Sequence, residues 1–341
     1  MTHKEVFYFI GKCLTISLDK KNKHEIEAQL KTKEIDWIAV VKVSTSHLVF
    51  PALYCQLKRE KFLQYLPSDL VDYMKHITDL NRTRNEQIIE QAKEINQLLS
   101  ENQITPIFIK GTAHLLEGLY EDIAERMVGD IDLLLLNDIE KANALLKENN
   151  YKAVSAIDGL GYNHRHLPRI VHPNKIAAVE LHHKIFRGKE DAKLNIKNHF
   201  LSVTKNKIFV LDAECTFYVS VLSKQINDYG YRLKTLSLKH SYEAYLLAKK
   251  SNIGAVLTPK TPFYNIITEY IEITSLILSS PIYLKGNTLK KGALNAYFKK
   301  PTFSVLTIIW FQKKGVALIS FIVKKSYRTL IVQRFKSKLN V

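Results

Sequence analysis

The chain has 341 residues, of which 46% are hydrophobic and 24% charged. That is an ordinary globular composition, long enough for two or three cores rather than one. Its three cysteines, Cys13, Cys55 and Cys215, form no C-x-x-C pair, which argues against a disulfide framework or a zinc knuckle and fits a reducing cytoplasm.

The N-terminus, Met-Thr-His-Lys-Glu-Val, carries charge early and lacks a long apolar core, unlike a secretory leader. Residues 1–100 read as a helical region. Apolar groups at 26–30, 37–41, 48–57 and 62–66 recur between polar residues, with Pro51 and Pro67 breaking the run. Residues 79–99 predict one long amphipathic helix, because Ile88, Ile89, Ala92, Ile95, Leu98 and Leu99 recur close to the helical period.

The period changes across residues 101–200. The apolar run 104–109 contains Pro106 and predicts an edge strand or the start of one. Lys110-Gly111-Thr112 follows, then a helix over 113–120. Residues 130–136 predict a strand, Asn137-Asp138 a helix cap and 139–149 a helix. A short strand fits 151–156, a loop rich in His, Arg and Pro fits 159–173, and a central strand fits 176–181. The order strand, helix, strand, helix, strand, strand is that of a compact α/β unit.

Residues 201–341 read as a C-terminal helical region ending in a basic tail. Helical patterning returns over 201–272. The apolar stretches 303–311 and 316–323 fall short of the roughly 20 residues of a membrane span; they predict core helices or an interfacial element. The net charge of +17 is concentrated at this end: residues 273–341 hold 13 Lys or Arg and no acid, leaving +4 for residues 1–272. Such a tail either attracts nucleic acid, anionic lipid or another polyanion, or serves as a solvated basic face.

The chemistry centres on Asp130 and Asp132, at the head of the apolar strand. Side chains at i and i+2 on a strand share a face. Two like charges side by side in an apolar setting are costly unless a cation neutralises them, and hard oxygen ligands of this kind suit Mg²⁺. Upstream, Gly111 at a strand-to-helix turn would let a phosphate approach the backbone, with a hydroxyl from Thr112 and a charge from Lys110; the plainer alternative is a turn glycine beside a surface lysine. Arg126 would steer a triphosphate or pair with the acids. Glu180 is unexpected inside the apolar run Ala177-Ala-Val-Glu-Leu. On a neighbouring strand it would complete a three-carboxylate site, able to hold two metal ions, or one metal plus a base. His182 and His183 follow it; one of them faces the site or both are ordinary histidines, the reading preferred for His183.

The ordered set Lys110-Gly111-Thr112, Arg126, Gly129-Asp130-Ile131-Asp132-Leu133-Leu134 and Val179-Glu180-Leu181-His182 resembles the nucleotidyltransferase superfamily with the DNA-polymerase-β-like fold. Within it, the chain looks like the bacterial uncharacterised nucleotidyltransferase family, which has a helical N-terminal region, a Lys-Gly turn, an Arg shortly before an Asp-x-Asp, and a later Asp-Leu-His. The stretch Val49-Phe-Pro-Ala-Leu-Tyr54 is similar to its Pro-Leu-Leu-Tyr, the segment from His164 to Pro168 to its His-containing stretch, and Tyr231-Arg-Leu-Lys to an Arg-Leu stretch near its C-terminal end. The resemblance spans about residues 30–250. This chain has Gly-Thr where the superfamily usually has Gly-Ser, and Glu180 where the family has Asp.

The resemblance implies an α+β fold, a small mixed-sheet core over 101–200 flanked by N- and C-terminal helical regions. It implies transfer of a nucleoside monophosphate from an NTP, ATP foremost, to a hydroxyl acceptor: a sugar phosphate, a small metabolite, a protein or an RNA end. Asp130, Asp132 and Glu180 would be the catalytic and metal-binding residues for Mg²⁺ or Mn²⁺. Lys110, Gly111, Thr112 and Arg126 would bind the nucleotide, and His182 and His164 would be accessory. The alternative is a weak or inactive module of the same fold. Residues 281–341 would then dock on an anionic partner or a membrane surface. The expected location is the cytoplasm, with that tail able to meet the inner face of the membrane.

Overall fold

The computed structural model describes residues 1–32, 34–154, 165–187, 201–203, 207–250, 257–282 and 296–298. His164, the stretches 303–311 and 316–323, and most of the tail 281–341 lie outside the described residues.

In chain order the main elements are α1 (His3–Cys13), α2 (Lys20–Lys31), α3 (Trp37–Ser46), α4 (Phe50–Arg59), α5 (Ser68–Glu101), β1 (Ile107–Ile109), α6 (Lys110–Leu116), β2 (Asp130–Leu134) and α7 (Ile139–Glu148). The strands β3 (Lys152–Ala153), β4 (Ile170–Val171), β5 (Ala178–His182), β6 (Leu201–Ser202) and β7 (Phe209–Val210) follow. Then come α8 (Ala213–Leu222), α9 (Gly230–Leu233), α10 (Leu238–Lys250) and α11 (Tyr264–Leu278). The chain forms two compact units. Among the described residues, one comprises those of Met1–Ile89, Ala113–Val128 and Asp212–Lys299, and the other those of Glu90–Thr112 and Gly129–Leu211.

The first unit is helical. Thr2 and Glu5 form a reciprocal capping box that starts α1, and Asp19 accepts from Lys21 and Asn22 backbone N–H groups to start α2. Pro51 does not break a helix as expected. It lies in the first turn of α4, where its missing N–H has no partner to lose. The helix expected over 79–99 is α5, and it begins earlier, at Ser68 directly after Pro67. Phe9, Ile10, Leu14, Leu53 and Ile277 are part of the buried core. Gly11 permits the approach of α11 to α1, since a Cβ there would stand 2.3 Å from the Ile277 carbonyl oxygen.

Among the described residues, the second unit carries a mixed seven-stranded sheet in the order β3-β4-β5-β2-β1-β7-β6. β2 runs parallel to β5, and β1 parallel to β7; the other pairings are antiparallel. β1 is therefore interior, not an edge strand; of the two readings of Pro106, the one that puts it at the start of a strand agrees with the structure. Pro106 sits just before Ile107 and so removes no donor from the ladder. The loop expected over 159–173 contains β4, and the helical stretch expected from 201 opens with β6 and β7. Each of these three strands is two residues long, too short to show a period of two. β5 is central, as expected. Its entry is clasped by Gln91, whose side-chain amide donates to the Ala177 carbonyl at 2.9 Å and accepts from the Ala177 N–H at 3.0 Å. The three cysteines are free and buried, and no helix among the described residues is long and apolar enough to cross a membrane.

Candidate metal and nucleotide site

The β2–β5 pairing sets Asp132 directly beside Glu180, Asp130 beside Ala178, and Leu134 beside His182. Partners across a ladder share a face, and so do residues two apart along a strand. Asp130, Asp132, Glu180 and His182 therefore project from one face of the sheet. Ile131, Leu133, Val179 and Leu181 point the other way and are at most 1% exposed. The acidic face is itself largely covered: Asp132, Glu180 and His182 are all buried. Both faces of these strands are occupied, which is why the segment reads as an apolar run interrupted by acids.

Every carboxylate has a cationic or ring-nitrogen neighbour. Lys110 Nζ stands 2.5 Å from Asp132 Oδ1. His182 Nε2 stands 2.8 Å from Asp132 Oδ1 and 3.4 Å from Glu180 Oε2. Arg169 Nη2 donates to Asp130 Oδ2 at 2.6 Å and to Glu180 Oε1 at 3.0 Å. Its Nε adds a second donor to Glu180 Oε1 at 3.2 Å. His166 Nε2 lies 3.9 Å from Glu180 Oε2.

These surroundings drive the acids apart in proton affinity. Burial pushes the Asp130 carboxyl up, and the charges of Asp132 and Glu180 push the same way. Burial also works against ionised Asp132, but Lys110 and His182 outweigh it and hold the group below the ordinary carboxylate range. Glu180 is likewise held low, its burial offset by the His182 hydrogen bond and by nearby positive charge. The His166 imidazole is pushed down, chiefly by burial.

The donor set fits a divalent metal. One ligand atom from each of Asp132, Glu180 and His182 falls within 4.8 Å of the others. His182 Nδ1 lies 3.3 Å from the Lys184 carbonyl, an acceptor to which a ring protonated at Nδ1 would donate. In that tautomer of the neutral ring, Nε2 would turn a lone pair toward the two carboxylate oxygens; in the other tautomer or the doubly protonated ring it donates to them. The first of these states leaves three acceptors facing one another, which a cation between them would satisfy. A backbone carbonyl on the far nitrogen is also the usual orienting partner of a metal-bound histidine.

Lys110 opens α6 at φ 57°, so the left-handed step at this turn falls on the lysine rather than on Gly111. Thr112 is buried, and its hydroxyl donates to the Asp130 carbonyl at 3.3 Å, bracing the head of β2. Arg126 belongs to the helical unit. There its Nε meets Glu243 Oε1 at 2.5 Å with both side chains buried, so its ion pair is with Glu243. His182 faces the site and His183 is exposed. Sequence reading missed Arg169 and His166. Both lie in the stretch taken for a loop, and only the pairing of Ile170 with Val179 reveals that Arg169 falls beside Glu180.

A family model described as "Uncharacterised nucleotidyltransferase" matches residues 33–237, more than half of the chain. The protein belongs to this nucleotidyltransferase family. No curated protein and no solved structure matches it.

Proposed function

We propose that the protein transfers a nucleoside monophosphate from an NTP, ATP foremost, to a hydroxyl acceptor on a polymerase-β-like core. The acceptor oxygen would bond to the α-phosphorus as the bond to the bridging oxygen of the β-phosphate breaks, and pyrophosphate would leave. The observation that carries this reading is the convergence of Asp132, Glu180 and His182 within the residues matched by the family.

Asp132, Glu180 and His182 are the residues that would hold a divalent ion, Mg²⁺ or Mn²⁺. When bound, such an ion would stabilise the negative charge that develops on the phosphate oxygens. The positive charge of Lys110, fixed beside Asp132, supports a role in drawing the triphosphate to the site, with the Gly111 backbone next to it. Thr112 holds the Asp130 backbone in place. Glu180 is proposed to orient the acceptor hydroxyl. A carboxylate held at low pKa is a weak base, so orientation suits it better than proton abstraction. The acceptor classes remain sugar phosphate, small metabolite, protein and RNA end.

Isothermal titration with ATP, CTP, GTP and UTP in the presence of Mg²⁺ tests the reading. Binding of at least one nucleotide, lost in Asp132→Ala, is the expected result. Absence of binding by the wild type, or binding indifferent to the substitution, contradicts it.

A further inference from the structure

We propose that Arg169 occupies the position of a second cation in this site, so that the protein takes one divalent ion rather than two. The proposal rests on the metal-centre reading above. It goes further by saying how many ions bind and which side chain sets the number.

The carboxylate oxygens divide into two groups. Asp132 Oδ1 and Glu180 Oε2 face His182 at the inner, buried end, where Lys110 also reaches Asp132 Oδ1. Asp130 Oδ2 and Glu180 Oε1 face the Arg169 guanidinium, and its Nη2 bridges them at 2.6 and 3.0 Å. In two-metal sites the ions lie about 3.5–4 Å apart and share carboxylate ligands between them. Glu180 is the shared carboxylate here, one oxygen toward each group, but on the outer side the cation is a side chain.

Arg169 also sits where such a role requires. β4 is antiparallel to β5, and Ile170 pairs with Val179, which puts Arg169 next to Glu180 on the acidic face. Its side chain is 45% exposed, against 27% for Asp130 and 10% for Glu180. The guanidinium thus covers the two carboxylates from the solvent side. A planar fork that donates to both acids is a better fixed counter-ion than a mobile ammonium.

The charge balance agrees. With His182 neutral, ionised Asp130, Asp132 and Glu180 face Lys110 and Arg169, leaving one net negative charge. A single divalent ion more than neutralises it. A second would enter a site already positive, and would have to displace Arg169 from the oxygens it needs.

The test is Mn²⁺ stoichiometry without nucleotide, read by electron paramagnetic resonance on the full chain. The wild type should bind one Mn²⁺ per chain. Arg169→Gln, which removes the charge at an exposed position, should bind two. Arg169→Lys, which keeps the charge, should return to one. Two ions in the wild type, none in the wild type, or a single ion in Arg169→Gln overturns the proposal. ATP binding followed on the same samples separates this from the wider reading. If Mn²⁺ counts behave as stated but no nucleotide binds, the transferase reading fails and the assignment of Arg169 stands. If nucleotide binds but the count is indifferent to Arg169, the reverse holds.

Discussion

Asp132 and Glu180 stand in register on two parallel strands, and His182 Nε2 lies 2.8 Å from a carboxylate oxygen of the first and 3.4 Å from one of the second. Lys110 and Arg169 offset part of the acids' charge, and the three convergent side chains form a set that can ligate a divalent ion.

The first consequence is metal-linked stability. A ligand that binds only the folded state, at a hundred times its dissociation constant, adds about 2.7 kcal/mol. Mn²⁺ or Mg²⁺ at that excess should raise the melting temperature of the wild type, and a chelator should reverse it. Asp132→Asn should abolish the rise. A metal-induced shift that survives in Asp132→Asn would place the ion elsewhere.

His182 should set metal preference. A ring nitrogen among carboxylates favours later first-row ions over Mg²⁺. Titration should show Co²⁺ binding more tightly than Mg²⁺. His182→Gln should weaken Co²⁺ by at least about tenfold, in the range found when metal-site partners are altered, and Mg²⁺ by much less. Equal losses for both ions would mean that His182 orients the carboxylates without ligating.

Much of this site was legible in the sequence, and for a physical reason. Asp130, Asp132 and Glu180 are acids inside apolar strands, a placement that core packing alone does not explain, and the strands carry them to one face. The long helix α5 was legible because Ile88, Ala92, Ile95 and Leu99 keep one buried stripe. Arg169 and His166 were not, because β4 is only two residues long and its pairing with β5 depends on contacts remote in sequence. β6 and β7 were hidden for the same reason. The partner of Arg126 was equally out of reach. Nothing around Arg126 points to Glu243, which packs against it only in the folded helical unit.

The segment around Arg126 is held by buried amides. Asn85 Nδ2 donates to the Ile123 and Arg126 carbonyls at 2.6 and 2.7 Å, and Asn81 Nδ2 donates to those of Ala124 and Arg126 at 2.7 and 3.0 Å. Asn85→Ala leaves buried carbonyls without these donors. It should cost about 1–3 kcal/mol in urea denaturation. A loss within error of zero would show that the segment is held by other means.

His47 should make stability pH-dependent. Burial lowers its folded pKa to about 4 from 6.5, and its Nδ1 accepts the Leu238 N–H at 3.4 Å, which requires the unprotonated nitrogen. Between those two values the unfolded chain binds the proton and the folded chain does not, so stability falls as pH drops from 6.5 to 4. The buried His240, also pushed down, acts with the same sign. His47→Gln should flatten the wild-type slope by part of the roughly 1.4 kcal/mol per pH unit that one histidine contributes. Identical slopes for wild type and variant would remove His47 from the account.

The measurement that bears most directly on the central claim is a crystal structure with Mn²⁺ and a non-hydrolysable ATP analogue, with manganese located by anomalous scattering. The account predicts a manganese peak within coordination distance of Asp132, Glu180 and His182, with the triphosphate beside Lys110. A peak away from these three side chains, or a triphosphate bound elsewhere on the protein, would contradict it.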